Sequence, residues 1–234
     1  VVLTISQFAK QSLAPILPKD QPFEIAFQGS RFEKEGELEE AAYQKYGLQK
    51  GRYFLFLGVL EKRKNLATLV KAFALFLALN KDTDIKLVLA GQRGTRQRLD
   101  DYPAIVQLVE ELQLNEKVVL TGYLKKEEVS SLYASALSFV FPSANEGFGL
   151  PVLEAFSLHV PVIVSSQGAL CEIGGEAVLS FDTFNSQALC ECLVQVSESD
   201  ILRKKMVEKG TERLRLYSWD KFFVSLEEII SRRA

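Results

Sequence analysis

Two carboxylates, Glu146 and Glu154, are separated by seven residues in the segment Ser143-Ala144-Asn145-Glu146-Gly147-Phe148-Gly149-Leu150-Pro151-Val152-Leu153-Glu154-Ala155. The apolar run Ala136–Phe141 before them reads as a short buried strand, and the residues after Gly149 read as a helix. A strand, a glycine turn and a helix start place backbone N–H groups at the carboxyl edge of a sheet, where they suit an anion such as a phosphate. Glu146 and Glu154 add acceptors for hydroxyl groups beside that anion, so the pattern suggests a sugar nucleotide. Upstream, the charge run Lys62-Arg63-Lys64 follows another strand and glycine; read locally, such a run is a solvated face.

The rest of the chain must position these groups. Its 234 residues allow one large domain or two small ones, and 47% hydrophobic with 25% charged residues is ordinary for a globular protein. A formal net charge of -2 gives no reason to expect a nucleic-acid partner. No apolar run is long enough to span a bilayer. Val1–Ile5 is too short for a signal-peptide core and reads as a strand or as the trimmed start of a longer polypeptide. Cys171, Cys190 and Cys192 are odd in number and lack metal-ligand spacing, so they read as reduced structural thiols in a reducing compartment. Cys190 and Cys192 are expected to face different ways on one helix.

Apolar runs predict strands at Tyr53–Val59, Ile85–Gly91, Lys117–Gly122, Ala136–Phe141, Pro161–Ser165 and Ala177–Phe181. Helical spacing predicts helices after Asn65, which is expected to cap the first, near Ala104–Leu112, over Glu127–Ala134, after Gly149, and near Ser186–Ser197, Ile201–Leu216 and Trp219–Arg232. The alternation implies a parallel sheet with helices on both faces and a ligand cleft beyond the carboxyl ends of the strands. Residues 1–50 fit this pattern less well: a helix at Gln7–Leu13, a proline-rich stretch, a short strand at Glu24–Phe27 and an acidic helix from Glu33 to Tyr46 read as a linker packed onto a domain at 51–234.

From Ser6 onward the chain resembles the C-terminal, donor-binding half of the family 4 (group 1) retaining glycosyltransferases, which have two Rossmann-like domains. Ser6-Gln7-Phe8-Ala9-Lys10, Gln28-Gly29, Gly58–Leu66, Leu89-Ala90-Gly91, Val119–Tyr123, Phe141-Pro142-Ser143, Glu146–Glu154, Pro161-Val162-Ile163 and Tyr217-Ser218-Trp219 follow the family's order. The resemblance implies the C-terminal half of the two-domain B-type fold, a Rossmann-like parallel sheet with helices on both faces. It implies that Glu146 faces the donor sugar and that Glu154 accepts hydrogen bonds from the ribose. Lys64 would neutralise the diphosphate with help from Arg63 in the loop after Gly58. The N–H groups of Gly147, Phe148, Gly149 and Leu150 would cradle that diphosphate, and Gly122, Tyr123 and Leu124 would pack against the base. No metal or other cofactor is implied. The donor is a nucleoside-diphosphate sugar, with GDP-mannose favoured because the Glu61–Asn65 loop resembles mannosyltransferase members, and UDP-sugars left open.

The sequence departs from the family at Val59, where a basic residue is common, at Cys171, where proline is usual, and at His159, where glycine commonly serves a positive φ. The family's N-terminal acceptor half has no counterpart. The chain is therefore expected to be a fragment that binds donor but transfers sugar poorly or not at all alone. The whole protein is expected in the cytoplasm, with the absent half able to place it peripherally on a membrane's inner face. Two rivals stand: a catalytically inactive, transferase-like binding module, and a dinucleotide-dependent oxidoreductase, which Gly58–Arg63 disfavours by lacking Gly-x-Gly-x-x-Gly. Lone His159 and the Arg93/Arg96/Arg98 loop are expected to be structural and solvated respectively. Trp219, Phe222 and Phe223 are expected in the core or on a masked interdomain face.

Overall fold

The computed structural model describes residues 1–32 and 42–232. Its main sheet holds strands β3 (Tyr53–Leu57), β4 (Lys86–Ala90), β5 (Val118–Gly122), β6 (Ser138–Phe141), β7 (Val162–Ser165) and β8 (Val178–Phe181). All pairs are parallel, in the order β5-β4-β3-β6-β7-β8. The chain winds outward one way from β3 and then, after β5, returns to begin again at β6. Loops leaving β3 and β6 therefore diverge over opposite faces and open a crevice at their carboxyl ends.

Tyr53, Phe54, Leu55 and Phe56 are all buried, as a strand covered on both faces requires. Helices α2 (Leu66–Leu79), α3 (Tyr102–Glu111) and α7 (Ser186–Glu198) pack together, while α5 (Leu150–Ser157) packs with α6 (Leu170–Gly174) and α8 (Asp200–Leu214). Phe54 meets Phe73 and Phe76 edge-on, and Phe56, Phe141 and Phe139 stack in sequence. Each such ring contributes about 1.5–3 kcal/mol by leaving water. Cys190 and Cys192 are both buried, so α7 is covered on more than one side and the expected divergence of the two thiols does not expose either.

The lead-in stretch contains β1 (Val2–Thr4), α1 (Gln7–Leu13) and β2 (Phe23–Ile25), with β1 and β2 forming a separate two-stranded parallel sheet. Ser6 caps α1 by accepting from Ala9 N–H, and the Glu172 carboxylate takes the N–H groups of Gln7 and Phe8 at 2.8 and 3.0 Å. Of the acidic helix expected over Glu33–Tyr46, residues 33–41 lie outside the described residues; the remainder forms a turn and a 3-10 turn at Gln44–Tyr46.

Two expectations need correction. Asn65 occupies the cap position of α2 but makes no capping bond, because its backbone is left-handed (φ 54°) and turns the side chain away. Its amide instead donates to Pro142 O at 3.2 Å, and its oxygen accepts from Thr68. Of the two places expected for the aromatic trio on α9 (Trp219–Ser231), the core is excluded, because the helix has no buried residue and Phe223 is exposed; the masked interdomain face is not contradicted.

Candidate active site

On the floor of the crevice between β3 and β6 the two loops are bonded to each other. Ala144 N–H donates to Arg63 O at 2.8 Å, in addition to the Asn65–Pro142 bond. Lys62-Arg63-Lys64 forms one 3-10 turn, which aims Arg63 and Lys64 across the crevice. Both reach the same atom. Glu146 Oε1 accepts from Lys64 Nζ at 2.6 Å and from Arg63 Nη1 at 2.8 Å, with the Ser143 hydroxyl 2.7 Å away. Arg63 also pairs with Glu61.

Lys64 is 7% exposed and lies over the Phe141 ring at 4.7 Å. Burial lowers its pKa from the ordinary lysine value, and the Glu146 charge offsets part of that shift. This lysine is a compact, poorly hydrated cation fixed by a carboxylate and a ring face, not a member of a solvated run.

Behind Glu146 the chain turns through Gly147, Phe148 and Gly149 into α5. Gly149 has φ 119°, and a Cβ there would stand 2.9 Å from Leu170 Cδ2, so the helix start tolerates no larger residue. Pro151 occupies the first turn, where a missing N–H costs little. The first N–H groups of a helix have no partner within it and carry its positive dipole end, which is the setting for an anion. The turn is held from below. The Ser6 hydroxyl donates to Gly147 O at 2.6 Å, Ala169 N–H donates to Glu146 O at 2.9 Å, and buried Phe148 packs edge-on against Tyr217. Leu150 is half-buried at the first position of α5.

Glu154 lies one turn further along α5, and its side chain is only 6% exposed. Arg31 grips it through two atoms, Nε to Oε1 at 2.7 Å and Nη2 to Oε2 at 3.2 Å. The Tyr133 hydroxyl donates to Oε2 at 3.3 Å from the end of α4 (Lys126–Ala134). Burial raises the Glu154 pKa above the usual carboxylate value, and Arg31 and then Tyr133 hold it down part of the way. Tyr133 is itself pushed well up by burial, then by Glu154, and stays a phenol donor. Sequence reasoning missed Arg31, Tyr133 and Ser143. Ser143 lies within the two-glutamate motif itself; Arg31 and Tyr133 are 123 and 21 residues from their partner.

The loop after β5 places Gly122 (φ 70°), Tyr123 and Leu124 at the edge of the same sheet end. Tyr123 is 75% exposed, whereas Leu124 is buried. Gly58, Gly91 and Gly122 end neighbouring strands, with Gly58 N–H bonded to Ala90 O and Gly91 N–H to Gly122 O. Arg93 beyond β4 pairs with Asp100. His159 sits at the opposite end of the sheet with φ 56°, the left-handed value inferred for that position. It lines a cleft of about 450 Å³ with Gly51, Leu137, Pro161 and Arg203, sharing no residue with the Glu146–Glu154 crevice.

Comparison with known proteins places this geometry. Residues 39–213 match the family described as glycosyl transferases group 1. O-antigen chain mannosyltransferase B of Escherichia coli is 36% identical over 177 residues, covering 76% of this chain and 45% of that protein. A D-inositol 3-phosphate glycosyltransferase of Corynebacterium urealyticum is 30% identical over 176 residues, covering 74% and 41%. The chain thus spans less than half the length of these curated relatives. Among solved structures, HepE of Anabaena in complex with UDP superposes with a TM-score of 0.86 at 16% identity, covering 99% of this chain and 64% of that one. Sucrose-phosphate synthase of Thermosynechococcus elongatus superposes at 0.80 with 23% identity, covering 99% and 57%. These two likenesses bear on the fold and agree with the parallel sheet covered on both faces. With three quarters of its length matched by one family, the chain belongs to the group 1 glycosyltransferases.

Proposed function

We propose that this chain is the donor-binding part of a retaining hexosyltransferase that takes its sugar from a nucleoside diphosphate. The observation that carries this reading is the convergence of Lys64, Glu146, the Gly147–Gly149 turn and Glu154 on the crevice where the strand order reverses. The diphosphate lies against the start of α5, with its charge met by Lys64 and Arg63. The ribose hydroxyls donate to Glu154, and Glu146 faces the hexose. The base packs beside Gly122, Tyr123 and Leu124.

As the glycosidic bond breaks, negative charge grows on the β-phosphate oxygen. A lysine already desolvated and fixed, together with a helix start aimed at the same point, stabilises that charge without reorganising. In the free protein Glu146 holds Lys64 and Arg63; donor binding replaces part of that pairing with phosphate oxygens, which frees carboxylate lone pairs for sugar hydroxyls. Retention of configuration follows the family resemblance, with the leaving phosphate helping to take the acceptor proton on the front face.

Mannose is the favoured sugar because one relative at 36% identity, covering 76% of this chain, is a mannosyltransferase of Escherichia coli. GDP is the favoured carrier because the Glu61–Asn65 loop resembles mannosyltransferase members. A UDP-sugar is the competing donor, supported by the likeness to a UDP-bound protein. Transfer is proposed to need an acceptor-binding half beyond Val1–Ala234, so the chain alone binds donor and turns over little. Calorimetric titration with GDP, UDP, GDP-mannose and UDP-glucose tests the reading. Binding of one diphosphate and its sugar, lost in Glu154→Ala, supports it. No binding of any of the four at about millimolar concentration, the weak limit of a specific site, overturns it. An intact site with no transfer after the acceptor half is supplied would favour the inactive binding module, for which Val59 in the phosphate loop is the motivating residue.

A further inference from the structure

Arg31 lies in a stretch that is pinned on both sides. Its preceding residue, Ser30, accepts from Trp219 Nε1 through its carbonyl at 3.1 Å, and its hydroxyl meets that of Ser157 on α5 at 2.9 Å. The Ser30 hydroxyl also accepts from Phe32 N–H at 3.1 Å, which closes a tight turn around Arg31. Gly29 runs so close to α9 that a Cβ there would be 2.4 Å from Trp219 N. On the other side, the Phe32 ring meets Tyr133 edge-on, and the Arg31 guanidinium lies 5.0 Å from the Phe32 ring.

The guanidinium is thus held over Glu154 rather than swinging from a surface. Arg31 is half-exposed, at 51%, while the carboxylate beneath it is nearly closed off. The guanidinium approaches both oxygens with its planar fork, and Tyr133 takes a further position on Oε2. An ionised carboxylate offers about four lone-pair sites. Three are taken, two by Arg31 and one by Tyr133, which leaves one on Oε1 without a side-chain partner among the described residues.

We infer that Arg31 is a positioning residue for the ribose-side carboxylate, keeping Glu154 ionised and oriented so that its free lone pair meets a nucleotide hydroxyl. This rests on the proposed function of Glu154 as the ribose acceptor. A carboxyl buried this deeply without a counter-ion takes up a proton and turns from acceptor to donor. The charged and titratable groups that reach it are Arg31, from the lead-in stretch, and Tyr133, from α4. Among the described residues no ion pair or hydrogen bond from a side chain of α6, α8, β6 or β7 does so. Arg31 therefore carries the ionisation, and the lead-in stretch becomes part of the donor site.

The test uses the chain with UDP and GDP as probes, in the wild type and in Arg31→Met, Arg31→Lys and Glu154→Ala, with circular dichroism confirming each fold. Side-chain carboxyl NMR reports the Glu154 titration, and calorimetry reports affinity at about pH 6 and about pH 8, both above the ordinary carboxylate range. The expected result is an upward-shifted Glu154 titration in Arg31→Met, with affinity about tenfold weaker at the lower pH and recovering at the higher one. Arg31→Lys restores most of the affinity, and the wild type varies little over this range. Equal or tighter binding by Arg31→Met at both pH values overturns the inference, because Arg31 then only competes with the nucleotide. Equal weakening at both pH values with an unmoved Glu154 titration also overturns it, because Arg31 then touches the nucleotide directly. If Glu154→Ala leaves affinity unchanged, or no nucleotide binds, the ribose reading fails, and the Glu154 titration alone then decides the role of Arg31.

Discussion

Glu146 and Glu154 stand on the same short segment and are neutralised in opposite ways. Glu146 is held by cations from the adjacent loop, Arg63 and Lys64, whose charge is also what a diphosphate needs. On the proposed reading its partners are shared with the ligand. Glu154 is held by Arg31, which comes from outside the main sheet, and by a tyrosine that cannot ionise under ordinary conditions. On the proposed reading, the comparison teaches that the phosphate side of the site is built within the sheet domain, whereas the ribose side is completed by the lead-in stretch.

Further experiments sharpen or break that contrast. Glu154→Ala removes a charged acceptor of ribose hydroxyls and should have the largest effect, a loss of about 30- to 100-fold in affinity for both a nucleoside and its diphosphate. Equal affinity for both ligands before and after the change would dissolve the ribose assignment. Lys64→Met should act on the other end only. Diphosphate affinity falls about 10- to 30-fold by isothermal titration, while nucleoside affinity is unchanged.

The same lysine gives a pH signature. Burial lowers its pKa, so it discharges below the ordinary lysine range as pH rises, and diphosphate affinity should decline in that window while nucleoside affinity does not. The charged groups facing it are Glu146, Arg63 and Glu61. A flat diphosphate profile up to the ordinary lysine range would place the phosphate elsewhere. The smallest effect belongs to His159→Gly at the far end of the sheet. It should leave nucleotide affinity unchanged and relieve left-handed strain of about 1 kcal/mol, read as a change in melting temperature of a few degrees or less. A loss of affinity would couple the two ends of the sheet.

The strands were legible because a sheet covered on both faces leaves near-continuous apolar runs, such as Tyr53–Leu57 and Ser138–Phe141. The loops carrying Lys64 and Glu146 were legible as strand-end loops, but Lys64 was singled out from its charge run by the family resemblance alone. Arg31 was not, since nothing local distinguishes an arginine after Gly29-Ser30 from a solvated one; its meaning depends on a carboxylate 123 residues away. Asn65 misled because a capping residue type sits at a capping position, while tertiary contacts with Pro142 and Thr68 drew its side chain elsewhere. The α9 aromatics were legible only as far as two alternatives, core or interdomain face, because an amphipathic pattern reports that a face wants cover, and not where the cover comes from.

The tie between Ser6 and Gly147 has a mechanical consequence. With Glu172 anchoring the start of α1 and the Ser6 hydroxyl bonded to the carbonyl of the turn, that short helix is a backstop for the turn proposed as the anion cradle. A tug on the peptide ahead of residue 6 is delivered to the main chain beside Glu146, and trimming through Leu13 would leave the cradle without its brace while every charged side chain of the crevice remained in place.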